Sequence, residues 1–441
     1  MADLCVVGTG YVGLVTGACF AELGHRVWCV DLDDRKVALI NAGKSPIYEP
    51  GLDELLKRSL KRHALVATTS LSEAVTQADF SFLCVGTPSA EDGSTDLSII
   101  RRAASELGKA LHDKHVNSRK SKAKKRHVVI VKSTVPPGTS ESLDQLLREA
   151  AAPDFGMCMN PEFLREGSAV NDFLQPDRIV VGGNERKDVD AVGRLYAGVK
   201  VPLIKTGLRT AEMIKYASNS FLATKISFAN ELANMCEQFG IDVYEVADGM
   251  GYDRRIGRAF LNAGAGFGGS CFKKDVSSLI YEAKKRGSRT AILDAVMGVN
   301  ELQPFRVVDL LERGLGSLSG KRIALLGLAF KDETDDIRDS AAIKVARALV
   351  KKGALVVAYD PKAAENARRE LGGAILYANS PKEALKDADA CALVTEWKSF
   401  GKIPLSAFKY MRGRLVVEGR QVLDKKALKK AGFKYLGIGR A

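Results

Sequence analysis

The chain opens with an apolar run, DLCVVG, a glycine turn, GTGYVG, an apolar stretch, LVTGACFAELG, and a second apolar run, RVWCVD. The pattern predicts strand, turn, helix and strand, with the helix closed by Gly24 beside His25 and Arg26 and the second strand ending on Asp31. DFSFLCVGTP and RHVVIVKSTVPPGT are further apolar runs that stop at Gly, Thr and Pro, with helical stretches between them. Strands alternating with helices predict a parallel sheet covered on both faces. Ligands of such sheets gather beyond the carboxyl ends of the strands, here the loops that start at Thr87 and Thr134.

From Thr210 the pattern changes. TAEMIKYASNSFLATKISFANELANMCEQFG has no glycine or proline before Gly240 and predicts one long, largely apolar helix, a buried spine between domains or a subunit contact. KRIALLGLAF then starts a second strand and helix series, continued by SAAIKVARALVKKG, by LVVAYDP with Asp360 at its end, by ADACALVTEW and by GRLVVEGR. In this series the residues from Gly327 to Lys331 replace the glycine turn. The predicted fold is α/β: an amino-terminal Rossmann-type dinucleotide domain (1–205), a central helical part (206–305) and a carboxyl-terminal Rossmann-like domain (306–441).

Composition narrows the class without changing the fold. Over 441 residues, 46% are hydrophobic and 27% charged, the balance of a globular protein rather than a disordered or fibrous one. No window approaches the 18 apolar residues of a membrane helix, and MADLCVVGTG lacks the basic and apolar regions of a secretory leader. A cytoplasmic enzyme without a membrane segment is expected. The net charge of +13 favours an anionic substrate or cofactor. About half of that excess lies in residues 117–127, NSRKSKAKKRH, which has no interleaved aromatics and predicts a solvated loop rather than a nucleic-acid patch. The eight cysteines have no metal-ligand spacing, so no metal is expected. Most sit in apolar runs and predict buried thiols. Cys271 is the exception.

Three motifs carry chemistry. Gly8, Gly10, Tyr11 and Gly13 belong to a GxGxxG turn between a strand and a helix, where glycines let a pyrophosphate approach the backbone and the helix amino terminus. Asp31, closing the next strand, is placed to accept ribose hydroxyls and to repel a 2′-phosphate, which favours NAD over NADP. Cys271 follows a stretch with four glycines, Gly264, Gly266, Gly268 and Gly269, and precedes Lys273 and Lys274; the glycines bring backbone close to a ligand, and anion-binding loop N–H groups with adjacent cations favour a nucleophilic thiolate. NPEFLREG places Glu162 and Glu166 four residues apart, on one face if the segment is helical, and Lys215 and Asn219 repeat that spacing on the long helix. No histidine lies in these segments, which leaves acid and base work to Glu, Lys, Asp or water.

GTGYVG with Asp31, KSTVPPGT, NPEFLREG, the Lys215 and Asn219 helix, FLNAGAGFGGSCFKKD and GLAFKDETDDIRDS occur in an order that resembles the UDP-glucose 6-dehydrogenases of the UDP-glucose/GDP-mannose dehydrogenase superfamily, over nearly the whole length. The resemblance implies a four-electron oxidation of the C6 alcohol of UDP-glucose, with two NAD⁺ reduced in turn. It implies Cys271 as nucleophile, Glu162 as general base, Lys215 and Asn219 as oxyanion and sugar contacts, Asp275 as partner of Lys215 in proton handling, and Thr134 as a group ordering water or nicotinamide. Val12, Asp31, Lys36, Thr87, Thr134, Glu166, Lys274 and Arg338 match NAD contacts. Phe163, Leu164, Arg165, Glu166, the stretch Phe260, Leu261, Asn262, Ala263 and Gly264, then Gly268 and Lys331 match UDP-sugar contacts. Arg255 matches an arginine supplied by the partner subunit of a homodimer.

Two rival enzymes and a different class share parts of this pattern. Dehydrogenases of GDP-mannose or a UDP-N-acetylhexosamine use the same mechanism, and a two-electron hydroxyacid dehydrogenase would need neither the cysteine nor the third domain. An NAD-sensing or nucleic-acid-binding protein would show aromatics among the basic residues or lack the nucleophile.

Overall fold

The computed structural model describes residues 1–117, 126–150 and 154–440. The basic stretch singled out above lies mostly outside the described residues; its described Arg126 pairs with Glu185 at 2.5 Å and Asp188 at 3.3 Å. The chain divides into two compact units, 1–218 with 277–282, and 219–276 with 283–441.

The first unit is an eight-stranded sheet. Its strands are β1 (Asp3–Val7), β2 (Arg26–Val30), β3 (Leu65–Thr68), β4 (Phe80–Leu83), β5 (His127–Val131), β6 (Phe155–Met159), β7 (Ile179–Gly183) and β8 (Leu203–Thr206). They lie in the order β3-β2-β1-β4-β5-β6-β7-β8. Alternate residues of β1 enter two different cores: Leu4 and Val6 pack with Leu14, Phe20 and Phe82, whereas Cys5 and Val7 pack with Leu83, Leu107 and Val129. That division is the signature of strands covered on both faces. The sheet departs from the all-parallel expectation at one place, where β6 and β7 run antiparallel through Cys158 opposite Gly183 and Met159 opposite Gly182. The strand order reverses direction of growth between β1 and β4, so the ends of these two strands flank the crevice where such folds bind nucleotides.

The second unit carries six parallel strands, β9 (Arg322–Leu326), β10 (Leu355–Tyr359), β11 (Leu376–Tyr377), β12 (Ala390–Leu393), β13 (Leu415–Glu418) and β14 (Lys434–Gly437), in the order β11-β10-β9-β12-β13-β14. Its nucleotide-like first turn is differently used. Asp360, after β10, is buried and accepts from the Leu328, Ala329, Lys362 and Ala363 N–H groups at 2.7–3.0 Å and from Trp397 Nε1 at 3.1 Å. Its acceptor sites are taken up by the protein, whereas a ribose-binding carboxylate must keep one open.

The predicted long helix is present as Leu208–Phe239, 32 residues, and the unit boundary falls within it. It is not buried throughout: Phe221, Phe228, Met235 and Phe239 are exposed. Among the described residues no helix is long and apolar enough to cross a membrane.

Candidate active site

The glycine turn follows β1 and caps the helix Tyr11–Glu22 through Gly10. Gly8 has φ +94°, and a Cβ there would lie 2.9 Å from the Cys84 carbonyl oxygen; one on Gly13 would lie 1.9 Å from the Gly8 oxygen. These two glycines let the turn and helix pack on the sheet. Gly10, by contrast, faces open space, the room a pyrophosphate needs to reach the N–H groups of Tyr11 and Val12 in the first helical turn. Asp31 Oδ2 accepts from Thr9 N at 2.8 Å and Thr9 Oγ1 at 2.6 Å, Oδ1 accepts from Asp33 N at 3.1 Å, and Lys36 stands 3.8 Å away. Burial pushes this carboxyl up, but those bonds and the Lys36 charge hold it below its ordinary value. Unlike Asp360, it keeps partial exposure and acceptor capacity. Thr87 and Thr134 are brought together, Thr87 Oγ1 donating to the Thr134 carbonyl at 2.9 Å. These residues fit a dinucleotide.

In the same unit, Glu162 Oε1 and the Lys215 ammonium form a buried pair at 2.8 Å, and Glu162 Oε2 accepts from Leu164 N at 2.5 Å. Burial pushes the Glu162 carboxyl up, but Lys215, the Leu164 N–H and Lys132 outweigh it and hold the group below its usual range. The Phe163 ring lies 3.9 Å from the Arg178 guanidinium and 5.5 Å from the Lys215 ammonium. Arg165 is turned onto Asp172 at 2.6 Å. The helical-face reading of Glu162 and Glu166 is corrected here: residues 160–165 are in neither helix nor strand and 166–168 form a turn. Asn160 precedes a proline, which disfavours helix, and its side chain is bound to Val180 O, Lys132 and Tyr196. The loop is anchored instead by buried Glu49, which accepts from Gly167 N and Ala169 N, each at 2.7 Å, and from the Tyr11 hydroxyl.

In the second unit, Cys271 precedes the helix Phe272–Lys285, and its carbonyl accepts from Asp275 N at 2.8 Å. It is the only exposed cysteine; the other seven are buried. A thiolate at a helix amino terminus is favoured by the unpaired N–H groups and the helix dipole. Asp275 is buried, with Asn219 Nδ2 donating to Oδ2 at 2.6 Å and Lys274 Nζ to Oδ1 at 2.5 Å.

The structure corrects two sequence arguments about the thiol's surroundings. Lys273 is paired with Asp339 at 2.8 Å and Lys274 with Asp275, so both cations have carboxylate partners. The four glycines are explained by protein packing: a Cβ on Gly264, Gly266, Gly268 or Gly269 would lie 2.5–2.8 Å from Gly419 O, Asn300 Oδ1, Asp339 O or the Phe330 ring.

The rest of the stretch is held in place by side chains that the sequence did not single out. Asn230 Oδ1 accepts from Gly264 N, Gln303 Nε2 donates to Gly264 O, Tyr244 donates to Ala263 O and Arg420 to Gly266 O. Phe260 has a φ of +66°, Leu261 is buried and Asn262 exposed. Arg338 pairs with Asp336 at 2.6 Å, Lys331 stands 5.9 Å from the Phe330 ring centroid, and the exposed Arg255 pairs with Asp253 at 2.6 Å.

A profile of the UDP-glucose/GDP-mannose dehydrogenases matches in three parts: the NAD binding domain over residues 2–200, the central domain over 209–302 and the UDP binding domain over 324–425. The chain belongs to this dehydrogenase family. Its relatives include the UDP-glucose 6-dehydrogenases AglM of Haloferax volcanii, 45% identical over 96% of this chain and 98% of its own, and TuaD of Bacillus subtilis, 41% identical over 100% and 94%. A solved UDP-glucose dehydrogenase from Pyrobaculum islandicum superposes with a TM-score of 0.92 at 43% identity, covering 100% of this chain and 98% of that one. A UDP-D-ManNAc dehydrogenase from Pyrococcus horikoshii superposes at 0.86 with 29% identity, over 99% of both chains. The family assignment makes the chain an NAD-dependent enzyme and accounts for the glycine turn, Asp31 and the second strand-rich unit together.

Proposed function

We propose that this enzyme oxidises the C6 alcohol of UDP-glucose to a carboxylate, giving UDP-glucuronate, through a covalent thioester on Cys271. The observation that carries this is the exposure of one thiol among eight at the start of a helix, one turn ahead of a buried Asp275 held by Asn219 and Lys274. An alcohol can lose one hydride to become an aldehyde, but an aldehyde has no second hydride to give until a nucleophile adds. Addition of the Cys271 sulfur to the aldehyde carbon gives a thiohemiacetal with a C–H bond restored. Loss of that hydride gives the thioester, and water cleaves the C–S bond to release the acid and the thiol. NAD⁺, when bound, accepts each hydride, so two are reduced per sugar. Lys215 and Asn219 are assigned to the oxyanions, Asp275 to proton handling, Thr134 to ordering water and ionised Glu162 to proton acceptance.

The identities of 41–45% to enzymes named for UDP-glucose, against 29% to the UDP-D-ManNAc enzyme, support this substrate over an N-acetylhexosamine. The three profile matches support the tripartite division 1–205, 206–305 and 306–441. An exposed thiol nucleophile supports a reducing, cytoplasmic setting. NADH counting tests the proposal. Two NADH per UDP-glucose, with no matching turnover of GDP-mannose or UDP-N-acetylmannosamine, is the expected result; one NADH per sugar, or a preference for either rival, contradicts it.

The enzyme is further proposed to work as a homodimer through the long helix. Phe221, Phe228, Met235 and Phe239 follow one another at seven, seven and four residues, which places them on one exposed apolar face. Arg255, whose side chain is 89% exposed while paired with Asp253, is then placed at the surface to serve the neighbouring site. Phe228→Arg is expected to halve the mass seen by sedimentation equilibrium; a variant that keeps the dimer mass rules this face out.

A further inference from the structure

Lys132 follows β5, is 3% exposed, and has no part in the steps above. Its ammonium donates to Asn160 Oδ1 at 3.1 Å and to the Asn160 carbonyl at 3.3 Å, and lies 5.9 Å from the Phe173 ring centroid. These neutral partners solvate the charge without cancelling it. The charged groups that act on it are Glu162, which attracts it, and Lys215, which repels it. Two other titratable groups face the cluster and remain neutral because burial pushes both upward: Cys84 after β4, to about 12, and Tyr196, whose hydroxyl donates to Asn160 Oδ1 at 2.6 Å. The cluster therefore holds two buried ammonium groups against one carboxylate.

A buried cation in excess costs stability, and burial lowers the Lys132 ammonium to about 8. An apolar side chain of similar length would fill the same space without that cost. Packing alone gives no reason for a lysine at this position, whereas its ammonium is bound to Asn160, two residues before Glu162, and favours the Glu162 carboxylate. We propose that Lys132 is a positioning residue for the oxidation: it fixes Asn160 at the start of the 160–167 loop and, as a second cation, keeps Glu162 in the carboxylate form. The inference rests on the assignment of Glu162 as proton acceptor and adds the group that sets its charge.

Removing the charge at 132 leaves Glu162 with Lys215 alone, so its protonation midpoint must rise. In Lys132→Met, the acid limb of the kcat/KM profile for UDP-glucose is expected to move up by about one pH unit. Titration of the Glu162 carboxyl by ¹³C NMR, its resonance assigned from its loss in Glu162→Gln, is expected to show the same upward shift and does not depend on turnover. If Lys132→Met fails to fold, Lys132→Gln, which retains a hydrogen bond to Asn160 without charge, carries the same measurements. A Glu162 midpoint unchanged in the variant overturns the role of Lys132, whatever the substrate. A shifted midpoint with no UDP-glucose oxidation by the unaltered enzyme upholds that role and overturns the proposed reaction instead.

Discussion

Cys271→Ser is expected to lose steady-state turnover of UDP-glucose by about three or more orders of magnitude, the scale on which removal of a covalent nucleophile falls. The side chain is exposed, so exchanging sulfur for oxygen leaves no cavity and disturbs no core packing. NAD⁺ affinity, which we assign to the glycine turn and Asp31, should be retained, because the exchange alters neither. A serine can add to an aldehyde as a hemiacetal, but the hydroxyl is a weak nucleophile and its ester would be hydrolysed slowly. Stopped-flow absorbance at the NADH band and calorimetric NAD⁺ titration provide the two readouts. Undiminished turnover would refute the thioester route.

Lys215→Met should produce the largest loss of stability in the first unit. The Lys215 and Glu162 side chains are only 5% and 7% exposed, and deleting one partner of such a pair strands the other charge at a cost of about 3–5 kcal/mol. For a unit of this size that corresponds to a fall of about 10 °C in the first calorimetric transition. The pH dependence has a definite sign. In the unaltered protein Glu162 lies below its unfolded value, so its stabilising contribution is complete above that value and is lost as pH falls through the folded one. In Lys215→Met, burial is opposed only by Lys132 and the Leu164 N–H, the Glu162 carboxyl moves upward, and the variant's deficit should shrink on acidification. Adding Glu162→Gln to Lys215→Met should recover most of the lost midpoint. A single variant as stable as the parent, or a deficit that grows in acid, contradicts this view of the pair.

What the sequence disclosed and what it withheld separate by range. The β1 strand, its glycine turn and Asp31 were legible because all their determinants lie within thirty residues, and period, turn chemistry and a carboxylate at a strand end agree. The long helix was legible for the same reason, since 32 residues without a breaker leave few alternatives. Cys271 stood apart because most of the other cysteines sit in apolar runs, which bury them.

The buried contacts were not legible, because folding joins distant segments that no local pattern relates: Lys132 to Asn160, Glu49 to Gly167, Glu162 to Lys215. The glycines before Cys271 were misattributed to ligand approach for this reason as well, since their neighbours come from residues 300–419. The expectation of a helical face for Glu162 and Glu166 failed locally. Pro161 restricts the residue before it, and the Glu162 carboxylate closes on the Leu164 N–H two residues on, competing with helix hydrogen bonding. The antiparallel entry of β7 could not be foreseen either, because apolar runs carry no strand direction.

The most direct measurement is the mass of the peptide containing Cys271 after an acid quench during turnover with UDP-glucose and NAD⁺. The account predicts an added mass equal to the UDP-glucuronyl acyl group on that cysteine, removed by hydroxylamine and absent without NAD⁺. A peptide of unmodified mass while NADH is still accumulating at two per sugar would contradict it.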